Sequence, residues 1–290
     1  MNVLSLFDGI SCGQLALQRA NIHYDNYYAS EINEHAIKVT QHHFPKTIQL
    51  GNIKNIKGKD LSKIELLFGG SPCTGFSSCG LRDHFNNSQS ALFWEFIRLL
   101  NETNPKYFLL ENVVMKKEWQ DIISKSIGTE PILIDSALVS AQRRKRLYWT
   151  NIPNITQPED KGLVVRDIIT SYDGPDRKYL DQNIIESMRS LPNCIEYTKK
   201  PGCGTNYHMD QIICYLDKKF RTLVGQCRKQ KIRLLFDDGR IGSLIPIEME
   251  RLQTIPDNYA SIISSNQRNM AVGNGWTIDV ISHMFQGINN

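Results

Sequence analysis

The sequence contains no apolar run close to the ~18 residues that a membrane-spanning helix requires. Its first eight residues carry no basic segment and reach an aspartate at once, so we expect no secretory signal peptide. It also lacks CxxC pairs, although it has seven cysteines. An odd number of cysteines without metal-ligand spacing predicts reduced thiols in a cytoplasmic protein, with neither a disulfide framework nor a metal site.

Strong charge and internal repetition are absent as well. The 290 residues contain no repeat or low-complexity tract, and the formal net charge is only +4. This length allows one or two domains with a sizeable core. The mild positive charge permits a polyanionic partner but does not require one.

Hydrophobic patterning divides the chain into an ordered and an irregular part. Over residues 1–150, six or seven apolar strands alternate with helical segments, of which 64–68 and 90–101 are clear examples. This alternation predicts an α/β fold with a parallel-rich sheet. Between residues 151 and 239 the hydrophobic runs are short and basic residues are frequent. We therefore predict one domain of residues 1–150 plus 240–290 and a small second domain of 151–239.

The first three predicted strands end in residues suited to a nucleotide. The first breaks at Gly9 and Gly13, and a helix follows, which is typical of a nucleotide-binding opening, although a plain tight turn is the alternative. The second ends at Glu31, 18 residues after Gly13, close to the offset at which an acid binds a ribose hydroxyl. A helix-capping or surface glutamate is the alternative. The third runs into Asn52, which would face an adenine edge or simply form a turn.

Two further strand ends carry reactive groups. A buried strand leads through glycines and a proline to Cys73, and a later one ends at Glu111. A lone cysteine in a loop is more often incidental, and a lone glutamate is more often solvated. Side by side at one sheet edge, they indicate a nucleophile and a proton-transfer group. The run of four cations at 143–146 predicts phosphate contacts or a solvated face.

In chain order, these segments resemble the motifs of DNA (cytosine-5) methyltransferases. The resemblance covers nearly the whole chain. The residues of its motifs are most similar to those in the catalytic domain of the animal de novo enzymes. The resemblance implies the Rossmann-like sheet of an S-adenosylmethionine-dependent methyltransferase. It also implies that residues 151–239 form a small irregular target-recognition domain. The matching segments are Phe7 to Gly13, Glu31-Ile32, Gly70 to Cys73, Glu111 to Val113, Gln142 to Arg146, Arg251 to Gln253 with Pro256, and Gly273 to Trp276.

The resemblance also implies residue roles. The catalytic residues would be Cys73 as nucleophile at cytosine C6, Glu111 at N3 and Arg144 at O2. Substrate-binding residues would be Ser71, Asn112, Gln142 and Arg146, and no metal is implied. Cofactor-binding residues would be Phe7, Asp8, Gly9, Gly13, Glu31, Ile32, Asn52, Ile53, Pro72, Asn274 and Trp276. The chain departs from the family pattern at Asn52, where many members carry aspartate, and at Thr74, where a glutamine often follows the cysteine.

The implied activity is methyl transfer from S-adenosylmethionine to C5 of a flipped-out cytosine in duplex DNA, with S-adenosylhomocysteine as product. Two alternatives stay open: a transfer-RNA cytosine-5 methyltransferase, and a non-catalytic regulatory protein of the same fold. Duplex DNA is the expected partner, a cognate restriction nuclease is a candidate partner, and no membrane association is expected. A bacterial or phage-encoded cytoplasmic protein fits these features, and the target sequence and oligomeric state are left open.

Overall fold

The computed structural model describes residues 1–72, 91–173, 177–180, 213–225 and 233–289. The chain forms two compact units, each described here by itself. The first unit comprises Met1–Asp135, Lys145–Pro158 and Ile278–Asn290, and the second comprises Ser136–Arg144 and Glu159–Thr277. The second unit thus takes in segments on both sides of the predicted 151–239 domain. Compactness does not identify target recognition, so the functional division of the chain stays a prediction.

A seven-stranded sheet forms the centre of the first unit, in the order β3-β2-β1-β4-β5-β7-β6. The first five of these strands run parallel, and β7 lies antiparallel between β5 and β6. The predicted parallel-rich α/β fold is therefore confirmed. The strands are β1 Asn2–Leu6, β2 Asn26–Ser30, β3 Ile48–Gln49, β4 Leu66–Gly70, β5 Tyr107–Val113, β6 Ile132–Asp135 and β7 Lys145–Thr150.

Strand order reverses beside β1. The chain moves outward from β1 through β2 to β3, then crosses to the opposite side of β1 to place β4 and β5. Ligands of open α/β sheets bind outside the carboxyl ends of the strands at such a switch point. We therefore expect a ligand site at the segments that follow β1, β2, β4 and β5.

The described part of the first unit contains five helices beside this sheet. Their hydrophobic residues face the core because they recur at helical spacing, as in α3, where Phe93, Phe96 and Ile97 are buried. The Asn33 side chain caps α2 by accepting backbone N–H groups from His35 and Ala36. The helices are α1 Cys12–Arg19, α2 Glu34–His43, α3 Ala91–Thr103, α4 Lys117–Ile127 and α7 Ile278–Phe285.

The second unit contains a small sheet and two helices in its described part. The sheet has the order β10-β9-β8, and Ile213 and Ile241 form its small buried core. The helix α5 carries two fully buried glutamates, Glu248 and Glu250, which pair with Arg177 and Arg268. The elements are β8 Ile213–Tyr215, β9 Arg233–Leu235, β10 Ile241–Ser243, α5 Pro246–Leu252 and α6 Ser265–Asn274.

Two predicted boundaries differ from the structure. Apolar residues over 131–139 predict one strand, but the strand ends at Asp135 and a 3-10 turn follows it over Ser136–Leu138. The sequence Gly-Asn-Gly-Trp at 273–276 predicts a turn, but Gly273 and Asn274 complete the last turn of α6, so the turn begins later. Within the described residues, no helix is both long and apolar enough to cross a membrane.

Candidate active site

The turn after β1 has an unusual backbone. Phe7, Gly9 and Ser11 all have positive φ angles, of 58°, 60° and 59°. Nothing lies within 4 Å of the point where a Cβ on Gly9 would stand, so open space faces this glycine. Gly13 differs, because a Cβ there would stand 2.4 Å from the Phe68 ring. Gly9 is thus open to a ligand, whereas the absence of a side chain at Gly13 permits close packing.

Glu31, directly after β2, holds this turn in place. One carboxylate oxygen accepts the backbone N–H of Gly9 at 2.8 Å, and the other accepts those of Ile32 and Asn33, each at 2.8 Å. A carboxylate offers about four acceptor sites, so three protein donors leave it able to accept from a ligand hydroxyl. The Ile32 side chain is 71% exposed beside it and offers an apolar surface.

Asp8 lies at the centre of the same turn. Its Oδ1 accepts a hydrogen bond from the Tyr27 hydroxyl at 2.7 Å, whereas its buried Oδ2 has no hydrogen-bond partner among the described residues. Burial raises the pKa of Asp8 to about 6, and the nearby hydroxyls of Ser5, Tyr27 and Ser11 oppose that rise. No sequence pattern predicts that the Tyr27 hydroxyl reaches this carboxyl group.

A 3-10 turn, Ile53–Asn55, follows β3. The Asn52 side-chain oxygen caps it by accepting the Lys54 N–H at 3.0 Å. The Ile53 side chain is buried, so only its backbone could meet a ligand. Its carbonyl accepts a hydrogen bond from the Arg98 guanidinium at 3.1 Å. Sequence reasoning missed Arg98, because nothing in α3 signals a contact 45 residues away.

The segment after β4 is tied to β5. The Asn112 amide donates to the Ser71 hydroxyl at 3.0 Å, and both residues are buried. Pro72 follows Ser71 and is half-buried. The predicted nucleophile Cys73 lies outside the described residues. The Ser71–Asn112 contact nevertheless fixes the point from which the chain continues to Cys73.

Glu111 and Arg146 form an ion pair on neighbouring strands. The Arg146 Nε lies 2.8 Å from a Glu111 carboxylate oxygen, and both side chains are only slightly exposed. Glu111 is registered opposite Tyr148 in the antiparallel β5–β7 pair. Arg146 is two residues from Tyr148 and so faces the same side of the sheet as Glu111. The strand register therefore brings two of the predicted site residues together.

Arg144 has a different environment, within the second unit. Its guanidinium donates to the backbone carbonyls of Leu223, Gly273 and Gly275, at 2.8, 3.3 and 3.0 Å. Its side chain is buried. These acceptors favour a role in holding the polypeptide together, and the predicted contact of Arg144 with a base stays a prediction.

Gln142 is also engaged inside the second unit. Its amide donates to the Leu252 carbonyl and to the Gln253 side chain, while its oxygen accepts the Leu223 N–H. The sequence analysis identified Gln253 only as part of a matching motif and predicted no contact for it. In the structure its side chain is buried. Asn274 ends α6 and lies against Gly225, and half-buried Trp276 follows it. The cofactor roles of Asn274 and Trp276 stay predictions.

The chain matches the model of the C-5 cytosine-specific DNA methylase family over residues 1–290. It therefore belongs to that family, and the predicted resemblance is confirmed. It is 33% identical over 177 residues to the "Orphan methyltransferase M.Rho11sI" of Bacillus phage rho11s, covering 57% of this chain and 35% of the relative. It is 24% identical to the "Type II methyltransferase M.NlaX" of Neisseria lactamica, covering 96% of this chain and 93% of the relative.

Solved structures support the fold. A DNMT2 mutant from Spodoptera frugiperda superimposes with a TM-score of 0.72 at 18% identity, covering 100% of this chain and 99% of the other. At this identity the likeness shows the fold alone. The chain spans about a third of the length of this phage relative.

The described residues fit the methyl donor of this family, S-adenosylmethionine. The Glu31 carboxylate has acceptor capacity left for ribose hydroxyls, and the exposed Ile32 beside it suits an adenine face. The open space at Gly9 leaves room for a ligand against the backbone. The buried Oδ2 of Asp8 requires a donor that the described protein residues do not supply. These features lie along one edge of the sheet, after β1 and β2.

Proposed function

We propose that this chain transfers a methyl group from S-adenosylmethionine to C5 of a cytosine in duplex DNA. The observation that carries the proposal is the Glu111–Arg146 pair. It lies in the same sheet as the turn that Glu31 holds, and the segment leading to Cys73 lies on the strand between. One sheet edge thus offers a cofactor site beside a carboxylate, a guanidinium and the approach to a thiol.

The chemistry follows from the weakness of C5 as a nucleophile. We propose that the Cys73 thiolate adds to C6, forming the S–C6 bond and moving an electron pair towards C5. Glu111, as a carboxylic acid, would donate a proton to N3 and so neutralise the ring. When bound, S-adenosylmethionine supplies an electrophilic methyl group. N3 then returns its proton to the Glu111 carboxylate, and water takes the C5 proton. The C5–H electron pair forms the C5–C6 double bond as the S–C6 bond breaks, which releases Cys73 as a thiolate.

Arg146 is the stronger candidate for the contact with the cytosine O2. Its guanidinium has five N–H donors, so it can hold Glu111 with one edge and a carbonyl oxygen with another. Its pairing with Glu111 would fix the direction in which the carboxyl group faces the base. Arg144, whose donors reach three backbone carbonyls, is better suited to supporting the fold.

The base must leave the DNA stack before Cys73 and Glu111 can reach it. We propose that the target nucleotide is extruded, which costs roughly a few kcal/mol and is least unfavourable where pairing is weak. Contacts of basic residues with phosphates would provide much of the binding energy, so affinity should fall steeply with salt. A flat salt response would contradict that part of the proposal.

The test is transfer of a labelled methyl group from S-adenosylmethionine to duplex DNA and to transfer RNA, followed by base-resolution mapping. We expect label at cytosine C5 of DNA in one short sequence context. Cys73→Ser should abolish transfer while cofactor and DNA binding survive, and turnover near the wild-type rate would remove Cys73 as nucleophile. Transfer to transfer RNA alone would establish the RNA alternative, and binding of cofactor without any transfer would support the non-catalytic one.

A biological role in protecting DNA can be tested with the same product. The relatives' names include both "orphan" and "type II" methyltransferases, which leaves a nuclease partner open. We propose that methylation at the mapped site blocks cleavage by a nuclease that recognises that site. Cleavage of fully methylated DNA at an unchanged rate would contradict this role.

A further inference from the structure

The segment between β3 and β4 carries a group of exposed cations without acidic partners. We call this group the lysine strip, and its members are Lys54, Lys57, Lys59 and Lys63. Within the described residues, none of these lysines is in an ion pair. The equally exposed Lys117, by contrast, is paired with Asp121. Asp60 is the one acid among residues 54–63, so the segment has a clear excess of positive charge.

Buried isoleucines fix the backbone that carries the lysine strip. Ile53, Ile56 and Ile64 are all buried and belong to the hydrophobic core of the first unit. Because these apolar side chains lie in the core, the exposed part of the segment offers charge with no aromatic side chain. Such a surface suits contact with phosphates, and it suits neither the stacking of bases nor insertion into a lipid bilayer.

Helix α3 holds this segment without neutralising it. The Gly58 N–H donates to a Glu102 carboxylate oxygen at 2.7 Å, and a Cβ on Gly58 would stand 2.7 Å from the Glu102 Cβ. The chain therefore packs directly against α3 in the middle of the lysine strip. Arg98 pairs with both Glu95 and Glu102, so the acids of this helix already have a cationic partner.

The lysine strip crosses the first unit from the sheet edge of the candidate site to the opposite edge. It begins in the 3-10 turn that follows β3, directly after Asn52. At its other end, the Asn2 side chain at the start of β1 donates to the Lys63 carbonyl at 2.9 Å. A five-residue strand such as β1 is about 16 Å long. Roughly five phosphates of one DNA strand cover that length.

We propose that the lysine strip binds phosphates of duplex DNA outside the target site. This inference rests on the proposed function, because it takes duplex DNA as the substrate. A duplex held for methylation at the sheet edge extends beyond its target base pair, and the lysine strip begins at that edge. Lysine ammonium groups contact phosphates as point charges, so these contacts would add affinity without reading sequence.

The test uses a short duplex that just covers the mapped methylation site and a long duplex with flanks on both sides. Glutamine at all four positions of the lysine strip should lower the slope of log affinity against log salt by about 0.9 for each lysine that contacts a phosphate. We expect a total decrease of roughly 2–4 on the long duplex, and much smaller changes on the short one. Single-turnover methyl transfer at saturating DNA should be unchanged, because these lysines lie outside the target site.

Two matched variants separate a local contact from a general effect of charge. The first places glutamine at exposed lysines outside the lysine strip, namely Lys38, Lys46, Lys116 and Lys125, and so removes the same total charge. It should change the slope much less. The second places arginine at all four positions of the lysine strip and should preserve binding of the long duplex. Urea unfolding should give similar midpoints for all variants, since every replaced side chain is exposed.

Each other result overturns the inference in a distinguishable way. Equal decreases for the two glutamine variants would leave only an effect of net charge, and no decrease would make the lysine strip a solvated surface. Equal losses on both duplexes, or slower transfer at saturating DNA, would place the contact at the target site. Equally tight binding of polyglutamate, lost in the same variant, would indicate an acidic protein partner.

The wild type distinguishes failure of this inference from failure of the proposed function. If it bound no duplex DNA, both would fail together. If binding of the long duplex depended on the lysine strip but no methyl group were transferred, the proposed function alone would fail. Normal methyl transfer with no dependence on the lysine strip would refute this inference alone.

Discussion

Replacing Glu31 with glutamine tests the cofactor site most directly. The substitution keeps the shape of the side chain but exchanges one acceptor oxygen for an NH2 group. The remaining oxygen can still accept the N–H groups of Ile32 and Asn33, which leaves the NH2 group facing the Gly9 N–H. Two donors would then face each other in the turn that is proposed to hold S-adenosylmethionine.

The magnitude follows from the bonds that change. A hydrogen bond to a charged group contributes about 1.5–3 kcal/mol, so loss of the Gly9 contact should lower the free energy of unfolding by roughly 2 kcal/mol. A ribose hydroxyl that donates to a neutral amide instead of a carboxylate loses about half of its bond strength. At 1.4 kcal/mol per tenfold, that loss of roughly 1–2 kcal/mol weakens cofactor binding about 5-fold to 30-fold.

The assay combines urea unfolding with calorimetric binding of S-adenosylhomocysteine and of its 2′,3′-dideoxy analogue. The wild type should prefer the hydroxylated ligand, and Glu31→Gln should lose most of that preference. Glu34→Gln, an exposed change three residues away in the first turn of α2, controls for the loss of charge. Should folded Glu31→Gln bind both ligands as the wild type does, the ribose assignment is wrong.

Three further predictions concern neighbouring groups. Arg146→Met should reduce methyl transfer about 100-fold in single-turnover assays with cofactor affinity unchanged, whereas a stability loss alone would contradict its role at the base. Arg98→Met frees the Ile53 carbonyl and should weaken S-adenosylhomocysteine binding several-fold; unchanged affinity would show that α3 does not position this turn. The pKa of Asp8 is raised from 3.8 to about 6, so the stability of the ligand-free protein should fall as pH rises from about 4 to 7, by at most about 3 kcal/mol. Asp8→Asn should remove that dependence in urea unfolding, and an unchanged pH profile would contradict it.

The parallel part of the sheet could be predicted because its strands are short, apolar and buried on both faces. Leu66, Leu67 and Phe68 are all fully buried, so the apolar run in this strand reports its environment directly. Glu31 was predicted directly after its strand by the same reasoning, and Glu111 was predicted at a strand end but lies within β5, which continues to Val113. Their hydrogen-bond partners were not, because those partners are backbone groups or come from strands that only the folded register places nearby.

Side-chain contacts between residues far apart in the chain could not be predicted from the sequence. The Gln142 side chain meets Leu252 and Gln253, more than a hundred residues away, so its motif carries no local sign of that contact. Arg98 has acidic neighbours at helical spacing, Glu95 and Glu102, which predict surface ion pairs. Its additional bond to the Ile53 carbonyl follows from the packing of α3 against the turn after β3 and from no property of α3 itself.

The basic run at 143–146 shows why neighbouring residues of one motif can have different functions. Arg144 belongs to the second compact unit, where backbone carbonyls occupy its guanidinium, whereas β7 of the first unit begins at Lys145. Within β7, side chains alternate between the two faces of the sheet, so Arg146 faces Glu111 and Lys145 faces away. A substitution in this run should therefore affect stability or chemistry according to its exact position. Comparing Arg144→Met with Arg146→Met would separate the two effects: loss of stability is expected for the first, and loss of methyl transfer by a folded protein for the second.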